Sequence, residues 1–297
     1  MIRIQNILVP VDFSEPSKIA VNYGLSLALE FEAKLVLAHI APFDRELYEA
    51  AKSRLIDLIP AELRESLHFE TIVKGGDVRD EILGVVHDRA IDLVVMGSHG
   101  RGYLERMVLG SVTERMLRKL PVPVLTVSHL DPERKIHEPG ILPLKRILYA
   151  SDLSDESEAG FKFSMRLARG LDAHLTVAHV IDPLAAGFMG EQTVTYQPEY
   201  AGNIRTLSEE YLDRLVTLQS DGSVPITTAL GEGRPHLVIN EIARECRADL
   251  IVINLHGKGK LERVLLGSTA ERVIRTATLP VLSLPLPATY ASRWVAA

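Results

Sequence analysis

Two stretches of the chain carry glycines and hydroxyl residues at a spacing that could hold a phosphate. The first is VVMGSHGRGYLERMVLGSVTERML, residues 94–117, and the second is VINLHGKGKLERVLLGSTAERVI, residues 252–274. Each runs from an apolar strand pattern through a glycine loop into a helix opened by Ser111 or Ser268. Gly97 and Gly100 lack side chains, so the backbone there is expected to approach a phosphate closely and to adopt positive φ. The first turn of the following helix offers unpaired backbone N–H groups and the positive end of the helix dipole, which favour an anion. Ser111 and Thr113 add hydroxyl donors, and Arg101 and Arg106 add positive charge. Residue types alone leave a packing explanation level with this one: glycines after a strand often serve only a turn, as expected for Gly102, and Ser111 could be a simple helix cap.

Several familiar chemistries are excluded by spacing. Neither loop has the lysine followed by Ser or Thr of a Walker A loop, and no GxGxxG follows the first strand pattern in either half. There is no GxSxG nucleophile elbow. No Cys/His cluster has zinc spacing, and no Ser/His/Asp set can be assembled, so no catalytic or metal-ligating residues are assigned. His39 and His179, just before the ends of apolar strands, read as packed or locally hydrogen-bonded histidines. The single cysteine, Cys246, sits in a helical pattern without charged activating neighbours and reads as a packed thiol.

The elements that must position these loops come in two copies. QNILVPVDFSEPSKIAVNYGLSLALEFEAKLVLAHI (5–40) matches KRILYASDLSDESEAGFKFSMRLARGLDAHLTVAHV (145–180), placing Asp12 over Asp152 and His39 over His179. The offset is 140 residues early and 157 late, so the second copy carries an insertion, around 182–203, that reads as a longer surface loop. Each copy alternates strand and helix. IQNILVPV, KLVLAHI, HFETIVK, IDLVVMG and PVLTV are the first copy's strands, HFETIVK being polar enough for an edge. Ser14-Glu15-Pro16 starts the first helix and Asp77 the third. Alternation at this length implies parallel βαβ units, hence an α/β fold of two tandem doubly wound, parallel five-stranded sheets. The expected organisation is a first domain over 1–128, a charged, Pro- and Gly-containing linker over 129–144, a second domain over 145–287 and a tail over 288–297. Asp12, Ile40 and Gly97 fall at strand carboxyl ends, where such sheets bind ligands.

The spacing Gly97-x2-Gly100-x9-Gly110-Ser111, with the VPVDFSE start, the LAHI strand and the PVPVLTV final strand, resembles the ATP-binding members of the universal stress protein family, and the whole chain resembles a tandem member. That resemblance implies a Rossmann-like, adenine nucleotide α hydrolase-like sandwich. It puts Asp12 beside the nucleoside and the backbone of Ile40 against adenine. Met96, Gly97, His99 and Gly100 would line ribose and phosphates, while Gly110, Ser111, Val112 and Thr113 would hold an ATP triphosphate, with Mg or Mn. In the second copy Asp152, Val180, His256, Gly257, Gly267, Ser268 and Thr269 match by position. Asn254, however, replaces the first glycine; it tolerates positive φ, but its side chain could fill the phosphate space. The resemblance also implies that the final strands pair inside the chain as a pseudo-dimer. Homodimerisation and the identity of any protein partner stay open.

Composition bounds the remaining classes. With 297 residues, 46% hydrophobic and 24% charged, the chain is a soluble globular type with room for one large or two ordinary domains. A net charge of −6 argues against a broad nucleic-acid footprint. No apolar run reaches membrane-spanning length, the start reads directly into a strand, and one cysteine excludes an internal disulfide, so a cytoplasmic location with no membrane partner is expected. The leading expectation is an adenine-nucleotide-binding regulatory protein of stress response. The alternatives are a slow ATP hydrolase or nucleotidyl-transfer enzyme, for which only His99, Arg101 and Arg106 stand as candidates, and a scaffold independent of nucleotide.

Overall fold

The computed structural model describes residues 3–41, 45–98, 109–127, 144–183, 198–256 and 267–285. The first copy comprises β1 (Asn6–Pro10), α1 (Glu15–Glu30), β2 (Lys34–Ala41), α2 (Arg45–Asp57), β3 (Phe69–Gly75), α3 (Val78–Asp88), β4 (Leu93–Gly97), α4 (Ser111–Lys119) and β5 (Val124–Val127). The second repeats the order as β6 (Arg146–Ser151), α5 (Asp155–Gly170), β7 (His174–Ile181), α6 (Pro198–Gln219), β8 (Ile226–Glu232), α7 (Pro235–Glu245), β9 (Leu250–Asn254), α8 (Ser268–Thr276) and β10 (Val281–Leu284).

The central strands are apolar on both faces because helices cover both. In β1, Ile7 and Val9 face the α1 side while Leu8 faces the opposite core, and all three are fully buried. Alternate residues of a strand point to opposite faces, so a continuous apolar run is what a sheet buried on both sides requires. Each copy is parallel within itself, and β3 and β8 lie at the outer edges, as the polarity of HFETIVK suggests.

The two sheets are not separate. β5 pairs antiparallel with β10, matching Thr126 to Val281, Leu125 to Leu282 and Val124 to Ser283, which makes one sheet of ten strands in the order β3-β2-β1-β4-β5-β10-β9-β6-β7-β8. The Thr126 hydroxyl donates to the Val281 carbonyl at 3.1 Å. This is the pseudo-dimer pairing implied by the resemblance. It removes two edges whose unpaired amides would otherwise invite another chain.

Two local devices recur in both copies, one at each end of the first strand. Phe13 and Leu153, each directly after the aspartate, take left-handed φ of 62° and 57°, a conformation unfavourable for such residues. The turn is held by the aspartate: Asp12 Oδ1 accepts from the Ser14 amide at 2.9 Å and its hydroxyl at 2.5 Å. Asp152 Oδ1 accepts from the Ser154 amide at 3.1 Å and the hydroxyls of Ser154 and Ser157 at 2.6 and 2.5 Å. At the other end of the sheet, Asp92 and Asp249 clasp the first strand of each copy. Asp92 Oδ2 accepts from the amides of Gln5 and Asn6, and Asp249 Oδ2 from those of Lys145 and Arg146.

Candidate functional site

A cavity of about 300 Å³ opens at the carboxyl ends of β1, β2 and β4 in the first copy. It brings together Asp12 from the turn after β1, Ile40 from β2, Met96 and Gly97 from β4, and Gly110, Ser111, Val112 and Thr113 from the start of α4. The equivalent cavity in the second copy is about 400 Å³ and gathers Asp152, Val180, Asn254, His256, Gly267, Ser268 and Thr269. Its lining has smaller side chains at three positions, with Ala150 for Pro10, Val180 for Ile40 and Ala270 for Thr113. His99, Gly100, Gly257, Arg101, Arg106 and Gly102 lie outside the described residues, as does most of the 182–203 insertion.

Each cavity faces an open helix start. α4 begins at Ser111 behind Gly110, and α8 at Ser268 behind Gly267, and neither N-cap supplies a side-chain hydrogen bond. Ser111 is therefore the first helical residue and not the cap. A glycine cap leaves the first-turn amides without a side-chain acceptor, which suits an exogenous anion. The loop closes on itself just before: the Gly110 amide donates to the Ser98 carbonyl at 2.9 Å and the Gly267 amide to the Leu255 carbonyl at 2.8 Å. A side chain at Gly267 would bring its Cβ to 2.8 Å from that same carbonyl, so glycine here serves close backbone approach.

Three expectations about individual residues are corrected. Gly97 does not take positive φ. It is required because a Cβ there would lie 2.7 Å from Pro16 Cβ and 2.9 Å from the Pro16 carbonyl carbon on α1, on the face away from α3 and α4. Asn254 likewise has no positive φ, and its side chain does not occupy the phosphate space. It turns toward α5, where Nδ2 donates to Tyr149 Oη at 3.3 Å and Oδ1 lies over Gly160, 2.5 Å from where a Cβ would stand. Tyr149, fully buried, in turn donates from Oη to the Ser157 carbonyl at 2.8 Å. Third, the Thr113 hydroxyl donates to the Gly97 carbonyl at 2.9 Å and is buried, so it braces the strand end and Ser111 supplies the exposed hydroxyl.

His39 and His179 are locally bonded, as their positions suggest. Nδ1 of His39 lies 2.7 Å from the Val11 carbonyl and Nδ1 of His179 lies 2.8 Å from the Ser151 carbonyl. Since a carbonyl can only accept, each ring carries its proton on Nδ1 there. The His39 ring also packs on Phe13 with centroids 4.7 Å apart, and the Arg54 guanidinium lies over the Phe13 ring at 3.9 Å.

The apolar wall of each cavity escaped the sequence reading. Val78 and Ile82 of α3, and Pro235 and Ile239 of α7, line the cavities beside Ala38 and Ala178. Their signal was a helical apolar stripe, which periodicity assigns to the core without saying that its first turn stops short of it.

Residues 3–128 and 143–285 each match the universal stress protein family model. The chain belongs to the universal stress protein family. Universal stress protein MJ0531 of Methanocaldococcus jannaschii is 34% identical over 143 residues, covering 48% of this chain and 83% of that protein. The universal stress protein E homolog of Haemophilus influenzae is 28% identical over 224 residues, 72% of this chain and 68% of its own. Among solved structures, a universal stress protein from Archaeoglobus fulgidus superposes with a TM-score of 0.66 at 21% identity, covering 96% of this chain and 97% of that one. At that identity the likeness establishes the fold, a tandem universal stress protein architecture. No described helix is long and apolar enough to cross a membrane.

Proposed function

We propose that this universal stress protein binds an adenine nucleotide, ATP being the expected form, in both copies, and that occupancy regulates its conformation or choice of partner in a stress response. The observation that carries this reading is the pair of matching cavities, each with an apolar wall on one side and an uncapped helix start on the other. An apolar slot suits a planar base, and the backbone of Ile40 or Val180 at the strand end can read its edge. The amides of α4 and α8 with Ser111 and Ser268 suit the phosphates. Any Mg or Mn would enter with the phosphates of the bound nucleotide.

The test is calorimetric titration of the full chain with ATP and Mg, in the parent and in Ser111→Glu and Ser268→Glu variants. A carboxylate in the first turn agrees with the helix dipole, so the helix stands while its charge repels phosphate. Each substitution should remove one binding event, its site weakened at least about tenfold, or about 1.4 kcal/mol. Unchanged titrations in both variants would remove the helix starts from the site.

A further inference from the structure

The helix beside each cavity starts differently in the two copies. Asp77 caps α3: Oδ1 accepts from the amides of Arg79 at 3.0 Å and Asp80 at 3.4 Å, and the carboxylate pairs with the Arg79 guanidinium at 2.5 Å. That helix start carries its own anion, held ionised well below the usual carboxylate range chiefly by Arg79. The second copy has Arg234 in the place of Asp77 and His236 in the place of Arg79. α7 therefore begins without a side-chain cap, and its built-in carboxylate is replaced by a cation.

What gathers there is a polar cavity of about 370 Å³ lined by Arg234, His236, Arg272 and Asp182 together with Ser268 and Thr269. It adjoins the nucleotide cavity, sharing Asp182, Pro235, Ser268 and Thr269 with it. Arg234 precedes α7, Arg272 stands on α8 and Asp182 follows β7, so three elements converge. Among the described residues neither guanidinium makes a side-chain hydrogen bond or ion pair. Asp182 is the single carboxylate in the lining. The half-buried His236 is held below its ordinary pKa by burial first and by Arg272 and Arg234 next, so at neutral pH it offers an N–H donor without charge. Two guanidinium forks and an imidazole donor suit a dianionic phosphate, which accepts several charge-assisted hydrogen bonds at once.

We propose that this pocket is a phosphate subsite present only in the second copy, holding a second phosphate of a nucleoside bisphosphate whose base and sugar occupy the adjoining cavity. The assignment rests on the nucleotide reading above for its ligand, but the pocket's preference for phosphate does not. In the first copy the position of Arg234 holds Asp77, a carboxylate paired with Arg79, which would repel that group.

The experiment uses the full chain carrying Ser111→Glu, so that the second copy is read alone. AMP, adenosine 2′,5′- and 3′,5′-bisphosphate, and inorganic phosphate are titrated separately by calorimetry. At least one bisphosphate should bind about tenfold or more tightly than AMP. Arg234→Ala with Arg272→Ala should return that ratio to about one while AMP binding stays as it was. Both arginines are exposed, so their truncation leaves the core intact, and thermal melting checks that the variant folds. Equal affinity for AMP and both bisphosphates in the parent, or a preference that survives loss of both arginines, overturns the subsite. Arginine-dependent binding of inorganic phosphate with no binding of any nucleotide would sink the nucleotide reading and keep the pocket as a free-phosphate site. Absence of binding by every probe overturns both.

Discussion

Gly97 and Asn254 stand at the same strand end in the two copies, and each is tolerated for a reason found across the fold. In the first copy Pro16 of α1 presses on the strand end and leaves no room for a Cβ. In the second, the residue at the Pro16 position is Glu156, Val9 has become Tyr149, and Ala20 has become Gly160. Those changes form one set: Gly160 makes room, Tyr149 presents a hydroxyl, and Asn254 bonds to it. On the proposed function, the cavity face of the strand is then left to the ligand in both copies. A substitution that reads as damage to a binding loop is thus absorbed on the opposite face of the sheet.

That comparison can be broken by moving one residue without its partners. Gly97→Asn should destabilise the chain by about 3 kcal/mol, because overpacking against Pro16 has no relief nearby. The reverse change, Asn254→Gly, should cost only about 1 kcal/mol, since it forfeits a hydrogen bond and clashes with nothing. Equal losses in urea unfolding would refute the compensating set. Tyr149→Phe removes the hydroxyl that serves both Asn254 and the Ser157 carbonyl, and the expected loss in the same assay is about 1.5 kcal/mol.

A further difference between the copies is one of acid stability. Glu70 on β3 meets Lys34 Nζ at 2.6 Å and Arg89 Nη2 at 2.9 Å, and Arg89, then Lys34, hold its pKa down to about 2 from an ordinary 4.5. The second copy has Thr227 in that place, facing the Thr176 hydroxyl at 3.2 Å. A carboxylate whose folded pKa is depressed stabilises above its unfolded pKa and loses that contribution as pH falls toward its folded one. The first copy should therefore lose about 1 kcal/mol between pH 4.5 and 2, after solvent screening of a partly exposed pair. Glu70→Gln should lower stability at neutral pH and remove that part of the pH dependence. A parent and variant with parallel stability curves across that range would contradict the assignment.

Elements governed by local pattern were legible in the sequence. The buried runs of β1 and β4, the Ser14 and Asp77 helix starts and the edge position of β3 all follow from residues close together in the chain. The pairing of β5 with β10 came from the resemblance and the need to cover apolar edges, because nothing local in LPVLSLP names its neighbour. Misreadings arose where the deciding contact was distant or lay on the other face. The positive φ expected at Gly97 is absent, and the nearness of Pro16 is what excludes a side chain there; Asn254 depends on Tyr149, 105 residues away. The Thr113 hydroxyl proton is engaged by the Gly97 carbonyl, 16 residues earlier, a partner that the local pattern does not name. Arg234, His236 and Arg272 gave no sequence signal, since their meaning depends on α7 and α8 starting side by side.

The central claim is that both copies hold a nucleotide, Asn254 notwithstanding. Its most direct test is to denature the purified full chain after equilibration with ATP and Mg and removal of unbound ligand, then count the released nucleotide by chromatography. The account predicts two nucleotides per chain, falling to one in Ser111→Glu and to none when Ser268→Glu is added. One nucleotide per chain in the parent, lost with Ser111→Glu and indifferent to Ser268→Glu, would contradict it.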